Sequence, residues 1–371
     1  MNERIVVPIP QVDLTRQYAA IKTEVDAVIQ RTLHHGAFAS SDSVRLFEDE
    51  FARYCGVKYC VCVNSGTSAL HLAMIAAGVR PGDEVITVPF TFIATAWAIS
   101  YVGARPVFVD IEPHSYCLDV EQLAGAIGSK TRAILPVHLY GQMADLDPVR
   151  ELCGRNGLLL VEDAAQAHGA EYRGKRAGAC GNMGCFSFYP TKNLGAYGEG
   201  GAVTTNDEGF ATRVRRLRDH AQISKYRHEE LGYNYRMDEI QGAILRVRLH
   251  HLDQWNAARR QNATYYQKKL ADQPLVLPFE LSGRRHVWHQ FVVRSRHRDR
   301  LRDQLSKAQI GTGLHYPIPL HLQPAYNHLG YRNGDFPVAE MVASECLSLP
   351  MFSELEEAEM DRVCEVIARH A

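Results

Sequence analysis

The sequence predicts an α/β protein in which a mainly parallel sheet, flanked by helices, forms a large domain over residues 1–250, and a smaller α/β domain follows over 251–371. Three observations lead there. Short β-rich runs alternate with segments long enough for crossover helices. Small, polar residues follow several of those runs, as they do at the carboxyl edge of an open sheet. The length of 371 residues exceeds the usual size of one domain.

The runs are Tyr59 to Val63, Glu84 to Val88, Pro106 to Ile111, Arg132 to Val137 and Leu158 to Glu162, with Cys185 to Tyr189 and Gly201 to Thr205 as two further strands. The last two are joined by a loop, Pro190 to Gly200, that holds three glycines and presents Lys192. An amphipathic helical pattern covers His250 to Asn262. After it come a stretch with Pro274 and Pro278, a β-like run at Trp288 to Val293, and helices to the C-terminus. Ligands of such sheets bind beyond the carboxyl ends of the strands, which directs attention to 64–68, 89–95 and 163–168.

Composition narrows the function classes. With 46% hydrophobic and 22% charged residues the chain reads as globular, and a formal net charge of -1 gives no global field for nucleic acid or anionic membrane. Nine scattered cysteines without a Cys-x-x-Cys pair suit reduced thiols and a cytoplasmic location. Met1 to Asp13 lacks the apolar core of an export signal, and no run of about eighteen apolar residues predicts a membrane span.

Several residues at the strand ends could carry chemistry. Lys192 in its glycine-rich loop could be held near a cofactor as a neutral amine, although a loop lysine is more often solvated. Asp163, ending the run Leu158-Leu159-Leu160-Val161, could pair with a pyridine nitrogen, or could simply cap a helix beginning at Ala164. Gln166 could bond a ring hydroxyl. Ser65-Gly66-Thr67-Ser68 reads as a strand-to-helix turn whose free N–H groups suit a phosphate, with Ser187 as a further hydroxyl. Phe92 could stack on a ring or belong to the core.

Five segments then stand in order and register: Ser-Gly-Thr-Ser-Ala-Leu at 65–70, Pro-x-x-Phe-x-Ala-Thr at 89–95, Glu-Asp-Ala-Ala-Gln-Ala-His-Gly at 162–169, Phe-Ser-Phe-Tyr-Pro-Thr-Lys-Asn-Leu-Gly-Ala at 186–196, and Gly-Tyr-Asn-Tyr-Arg-Met-Asp at 232–238. Together they resemble the DegT/DnrJ/EryC1/StrS family of sugar aminotransferases, which depend on pyridoxal phosphate (PLP) and have the aspartate aminotransferase fold (PLP fold type I). The resemblance implies Lys192 as the Schiff-base lysine, with pyridoxamine phosphate as the alternate cofactor form. Asp163 then faces the pyridine nitrogen, Gln166 the phenolic oxygen and Phe92 the ring face, while Thr67, Ser68 and Ser187 bind phosphate. It also implies that Asn234 reaches the phosphate of a neighbouring subunit, so that a homodimer shares its sites. His315, Tyr316 and His321 in the loop Leu314 to Tyr326 are expected to touch substrate, and no metal ligand set is expected.

The expected reaction moves an amino group from an amino acid, glutamate by resemblance, to a keto sugar linked to a nucleotide. Tyr189 stands where members acting on 4-keto sugars more often carry histidine, so Phe186 to Gly195 looks most like members acting on dTDP-linked 3-keto-6-deoxy sugars. A 4-keto sugar or an aminocyclitol (inosose) is the alternative, and a non-catalytic regulator is opposed by the joint presence of Lys192, Asp163 and Gln166. Lys192 also argues against a 3-dehydratase. Two features complete the reading. Residues 36–42 depart from the usual turn of relatives near the active-site mouth. The basic runs at 213–218 and 294–302 read as solvated faces, leaving Lys225, Tyr226 and Arg227 as candidates for contact with a sugar nucleotide across the dimer.

Overall fold

The computed structural model describes residues 7–39 and 41–371, so Met1 to Val6 of the N-terminal stretch and Ser40 of the 36–42 segment lie outside the described residues. Its centre is a seven-stranded sheet in the order Tyr59–Val63, Gly201–Thr205, Met183–Ser187, Leu159–Asp163, Thr131–Ile134, Glu84–Thr87, Arg105–Phe108. Six strands are mutually parallel and Gly201–Thr205 alone runs antiparallel, pairing with a neighbour on each side. Tyr59–Val63 and Gly201–Thr205 end where the sequence predicts and the other strands shift by up to three residues, as pairing partners rather than composition decide where a ladder stops.

Helices cover both faces because nearly every sheet residue is buried. On one face Phe47, Phe51, Phe186 and Phe188 interlock, with ring centroids 5.0 to 5.6 Å apart. All four are fully buried, each contributing about 1.5–3 kcal/mol of hydrophobic stabilisation. On the other face Val61, Leu72, Val85, Ala133, Val161 and Val203 form a second core. The helix Asp42–Cys55 begins where the Glu239 carboxylate accepts from the N–H groups of Ser41, Ser43 and Val44, satisfying donors that no carbonyl within that helix can reach.

The expected helix at 250–262 is the middle of one 31-residue helix, Glu239–Lys269, so a boundary drawn at 250 falls inside a continuous element. Beyond it a two-stranded antiparallel ladder, Phe291–Arg294 with Cys346–Leu349, packs with helices Arg298–Lys307 and Glu357–His370. This separate C-terminal core also takes in the N-terminal Ile9 and Val12, and Ile9 bridges to Ile310. In the other direction, Arg284–Arg285 joins the short strand Glu171–Tyr172, and the Val287 N–H donates to the Gly141 carbonyl. The sheet and the C-terminal core are therefore stitched together by segments from both ends of the chain. All nine cysteines are buried and unpaired.

Candidate active site

The carboxyl edge of the sheet opens into a cavity of about 510 Å³ that Gly66, Thr67, Phe92, Asp163, Gln166, Ser187, Tyr189, Lys192, His315 and Tyr316 all line. Adjacent residues of a strand point to opposite faces, and the strand Leu159–Asp163 uses this to separate two buried carboxylates. Glu162 turns away from the cavity and accepts from the N–H groups of Gly178, Cys180 and Gly181 and from His138 Nε2. Burial by itself would raise its pKa, but His138 and the three backbone donors hold it below the ordinary value. Glu162 thus fixes the loop that leads into the strand Met183–Ser187 and is satisfied there.

Asp163 is placed very differently. Only 4% exposed, it receives the Thr95 hydroxyl on Oδ2 at 2.7 Å and the Ala165 N–H on Oδ1 at 3.2 Å. Burial raises its pKa, and these two bonds together with the charge of Lys192 do not fully offset it. No helix starts at Ala164; residues 164–170 form successive turns, so the helix-cap alternative gives way to an acceptor role in the cavity wall. A buried carboxylate short of compensating charge calls for a cation, as a protonated pyridine nitrogen would be.

Lys192 sits on the loop between Met183–Ser187 and Gly201–Thr205. That loop folds back through the bonds Lys192 N–H to Tyr189 carbonyl, Ala196 N–H to Phe188 carbonyl, and Phe188 N–H to Gly200 carbonyl, 2.7 to 2.9 Å. Gly195 is required here, since a Cβ on it would lie 2.3 Å from the Pro190 carbonyl oxygen. Burial pushes the Lys192 ammonium down to about 8 from 10.5, opposed by the nearby Asp163 charge. At neutral pH a usable fraction of the amine is therefore neutral and nucleophilic. Its Nζ lies 3.4 Å from His289 Nε2.

The helix Gly66–Ala76 starts at the cavity with Ser65 as its cap, the Ser65 hydroxyl accepting from the Ser68 N–H. The N–H groups of Gly66 and Thr67 have no carbonyl a turn earlier in the helix, so they and the positive helix end suit an anion. A Cβ on Gly66 would stand 2.6 Å from that of Ser187, so only glycine lets Ser187 close over this turn. Ser68 differs from the sequence expectation: its hydroxyl bonds Asn64 and Ser65, and its side chain does not line the cavity. The reason is local, because the Asn64 side chain beside the Ser65 cap takes up that hydroxyl. Gln166 is oriented by the Tyr140 N–H on its Oε1, which leaves Nε2 to donate to the Tyr316 hydroxyl at 3.1 Å on the cavity side. Phe92 and Tyr189, 52% and 49% exposed, stand at the mouth, with Phe92 tilted 5.9 Å from Tyr316.

His315 lines the cavity and holds the Ser348 hydroxyl at 2.8 Å, and burial pushes its pKa down to about 4. His321 does not line it. That side chain is buried against Phe336 and bonded to Glu340 at 2.9 Å, because the turn Leu320–Leu322 points it into the core under the loop. Asn234 is exposed and outside the cavity of its own chain. Lys225, Tyr226 and Arg227 lie on an exposed hairpin, and no described residue of 36–42 lines the cavity. In the basic run at 213–218, Arg213 and Arg216 pair with Glu230 and Arg218 with Glu48. Sequence reasoning missed Thr95, His289 and Gln290, which also line the site; Thr95 lies within a flagged segment, but nothing in spacing joins it to a carboxylate 68 positions away. Among the described residues there is no metal-binding cluster of His, Cys, Asp and Glu, and no helix long and apolar enough to cross a membrane.

The site therefore fits PLP on its own chemistry: an anion turn, a buried acceptor for a cationic nitrogen, an amide donor and a depressed lysine face one cavity. Comparison with known proteins agrees. The model of the DegT/DnrJ/EryC1/StrS aminotransferase family matches residues 19–368. A pleiotropic regulatory protein of Geobacillus stearothermophilus is 47% identical over 363 residues, covering 97% of this chain and 98% of the relative. The dTDP-3-amino-3,4,6-trideoxy-alpha-D-glucose transaminase of Streptomyces venezuelae is 46% identical over 375 residues, covering 100% and 98%. The crystal structure of S. venezuelae DesV with a ketimine intermediate superposes with a TM-score of 0.95 at 46% identity, covering 98% of each chain. The chain belongs to the DegT/DnrJ/EryC1/StrS aminotransferase family and is a PLP-dependent enzyme of that family.

Proposed function

We propose that the enzyme transfers an amino group from glutamate to the 3-keto carbon of a dTDP-linked 6-deoxyhexose. The observation that carries the catalytic part is the enclosed Lys192 amine sharing a cavity with the undercompensated Asp163 carboxylate. The sugar part is supported by the relative named for a dTDP-3-amino sugar and by Tyr189 at the cavity mouth.

In this reading Lys192 would bond the cofactor, Asp163 face its ring nitrogen, Gln166 its phenolic oxygen, Phe92 its ring, and the Gly66–Thr67 turn with Ser187 its phosphate. PLP supplies an electron sink for the bond that breaks at the donor's α-carbon. When not bonded to the cofactor, Lys192 Nζ would be placed to take the donor's α-proton in the first half and to deliver a proton to the sugar carbon that receives nitrogen in the second. Asp163, buried in the cavity wall, would act on the ring nitrogen at short range. His315 and Tyr316 line the part of the cavity left for substrate, and Asn234 would complete the phosphate site of a second subunit in a cytoplasmic homodimer.

Incubating the purified enzyme with glutamate and a panel of dTDP- and UDP-linked 3-keto and 4-keto sugars tests the substrate. Amination of the dTDP 3-keto sugar above the others is expected. Preference for a 4-keto sugar would replace that part of the reading, and activity on an inosose alone would move it to aminocyclitols. A regulatory role without turnover has a namesake among the relatives, but it leaves the depressed Lys192 and the unpaired charge of Asp163 without use.

A further inference from the structure

His289 belongs to no motif that suggested the function, yet its surroundings define its protonation. Val287 and His168 present backbone carbonyls, which can only accept hydrogen bonds. Asn193 Nδ2 donates to the Val287 carbonyl and to Asn256 Oδ1, both at 2.8 Å, and Asn256 Nδ2 donates to the His168 carbonyl at 2.9 Å. Both amides are thereby oriented, and Asn193 is left with Oδ1, an acceptor, facing His289 Nδ1 at 3.2 Å. Nδ1 must carry the proton. Nε2 then has a lone pair, and it points at Lys192 Nζ, 3.4 Å away.

We propose that His289 is a positioning residue for the catalytic amine: a neutral imidazole, fixed as the Nδ1–H tautomer by Asn193, whose Nε2 accepts an N–H of Lys192 whenever that amine is not bonded to the cofactor. The released lysine needs such a berth. Its four-carbon stem would otherwise sample the cavity that the amino donor and sugar must enter, whereas a fixed acceptor on one wall keeps Nζ at a single station. A neutral acceptor also suits a group that alternates between amine and ammonium, because it can hold either. The charged and titratable groups around this pair are Asp163 from the sheet, His168 from the turns after it, His315 from the loop opposite and Arg259 from the long helix. Burial and the adjoining cations push His289 well below its usual range, so it stays neutral while Lys192 titrates.

The inference rests on Lys192 being the cofactor lysine, and the test separates the two. Reduction of the yellow holoenzyme with borohydride, followed by peptide mapping, must first place the label on Lys192; a label elsewhere overturns that assignment and this proposal with it, whereas a failure of the pH measurement below with the label on Lys192 counts against His289 alone. The full-length protein stripped of cofactor is then mixed with PLP across the pH range. The pH at which half-maximal capture occurs is expected to fall by about one unit in His289→Leu, which deletes the acceptor, and to return towards the native value in His289→Gln, whose amide oxygen can accept. An unchanged midpoint in a folded His289→Leu overturns the proposal. Should that variant fail to fold, ¹⁵N NMR of the imidazole in the native stripped protein decides: an unprotonated Nε2 is expected, and a protonated Nε2 overturns it.

Discussion

Two regions of the molecule carry the expected active site and are finished to different degrees. Along the carboxyl edge of the sheet, Thr95 is bonded to Asp163, and Tyr140 and Tyr316 to Gln166, all within one chain. The segment 222–234 is an exposed hairpin of Gln222–Ser224 and Arg227–His228 in which Tyr226 and Leu231 are 83% and 90% exposed. Its exposed Asn234 bridges to Asp219, with the flanking Tyr233 and Tyr235 bonded to the backbone of Leu217, Arg218 and His220. The difference teaches where one chain is sufficient. The sheet edge builds the reacting centre from strand ends that the core already fixes, whereas large apolar side chains on a solvated hairpin suit a surface that a second copy covers, as the proposed shared site requires.

The comparison breaks first at Lys192. Lys192→Ala should abolish turnover by about 10³-fold or more and remove the borohydride-reducible colour, since among the described residues no other amine lines the cavity. Retained glutamate-dependent turnover would show that the sheet edge is not the reacting centre. Asp163→Asn should cost about 10²–10³-fold in kcat while a stopped-flow trace still shows cofactor binding. In the stripped protein the same change should leave the melting temperature unchanged or raise it, because it removes a buried charge that the described partners do not fully compensate. A fall in melting temperature would make Asp163 a structural residue like Glu162.

The hairpin can be perturbed without touching the sheet. Leu231→Asp should lower association measured by light scattering and lower activity in parallel, and Asn234→Ala should weaken PLP binding by about tenfold with association intact. A Leu231→Asp chain that is fully active as a monomer would mean that each chain finishes its own site.

The sheet edge was legible in the sequence because its chemistry sits at strand ends, where periodicity stops and small polar residues follow. Asp163 and the Ser65 turn could be placed that way, and the family resemblance joined them to Lys192. What could not be read was contact between distant segments. His289 lies at the entry of the strand Phe291–Arg294 and looks like core, and its tautomer depends on a chain of amides ending at Val287 and His168. The reading of His321 fails for the same reason. A histidine in a proline-rich loop gives no sign of whether it turns to the cavity or to Glu340. Ser68 shows a subtler limit, since Ser65 serves the cap and the Ser68 hydroxyl is spent on Asn64 and Ser65 rather than on the cavity.

His321 supplies a smaller test of the same distinction. His321→Ala should destabilise the chain by about 1–3 kcal/mol, because it strips a buried partner from Glu340, while KM for the sugar nucleotide stays within about twofold of native. A large KM change with unchanged stability would restore it as a substrate contact.

The finest test is the pH response of Lys192. Its folded value of about 8 lies below the 10.5 of an unfolded lysine, so between those values the unfolded chain binds more protons than the folded one. Stability from this group is then lowest below about 8 and rises with pH up to about 10.5. Lys192→Met removes that dependence, so the melting temperature of the variant should exceed that of the native stripped protein near neutral pH, and the gap should narrow as pH climbs through the window. A gap that is constant with pH would mean that the amine is solvated in the free enzyme, and that the sheet edge encloses its lysine only after the cofactor binds.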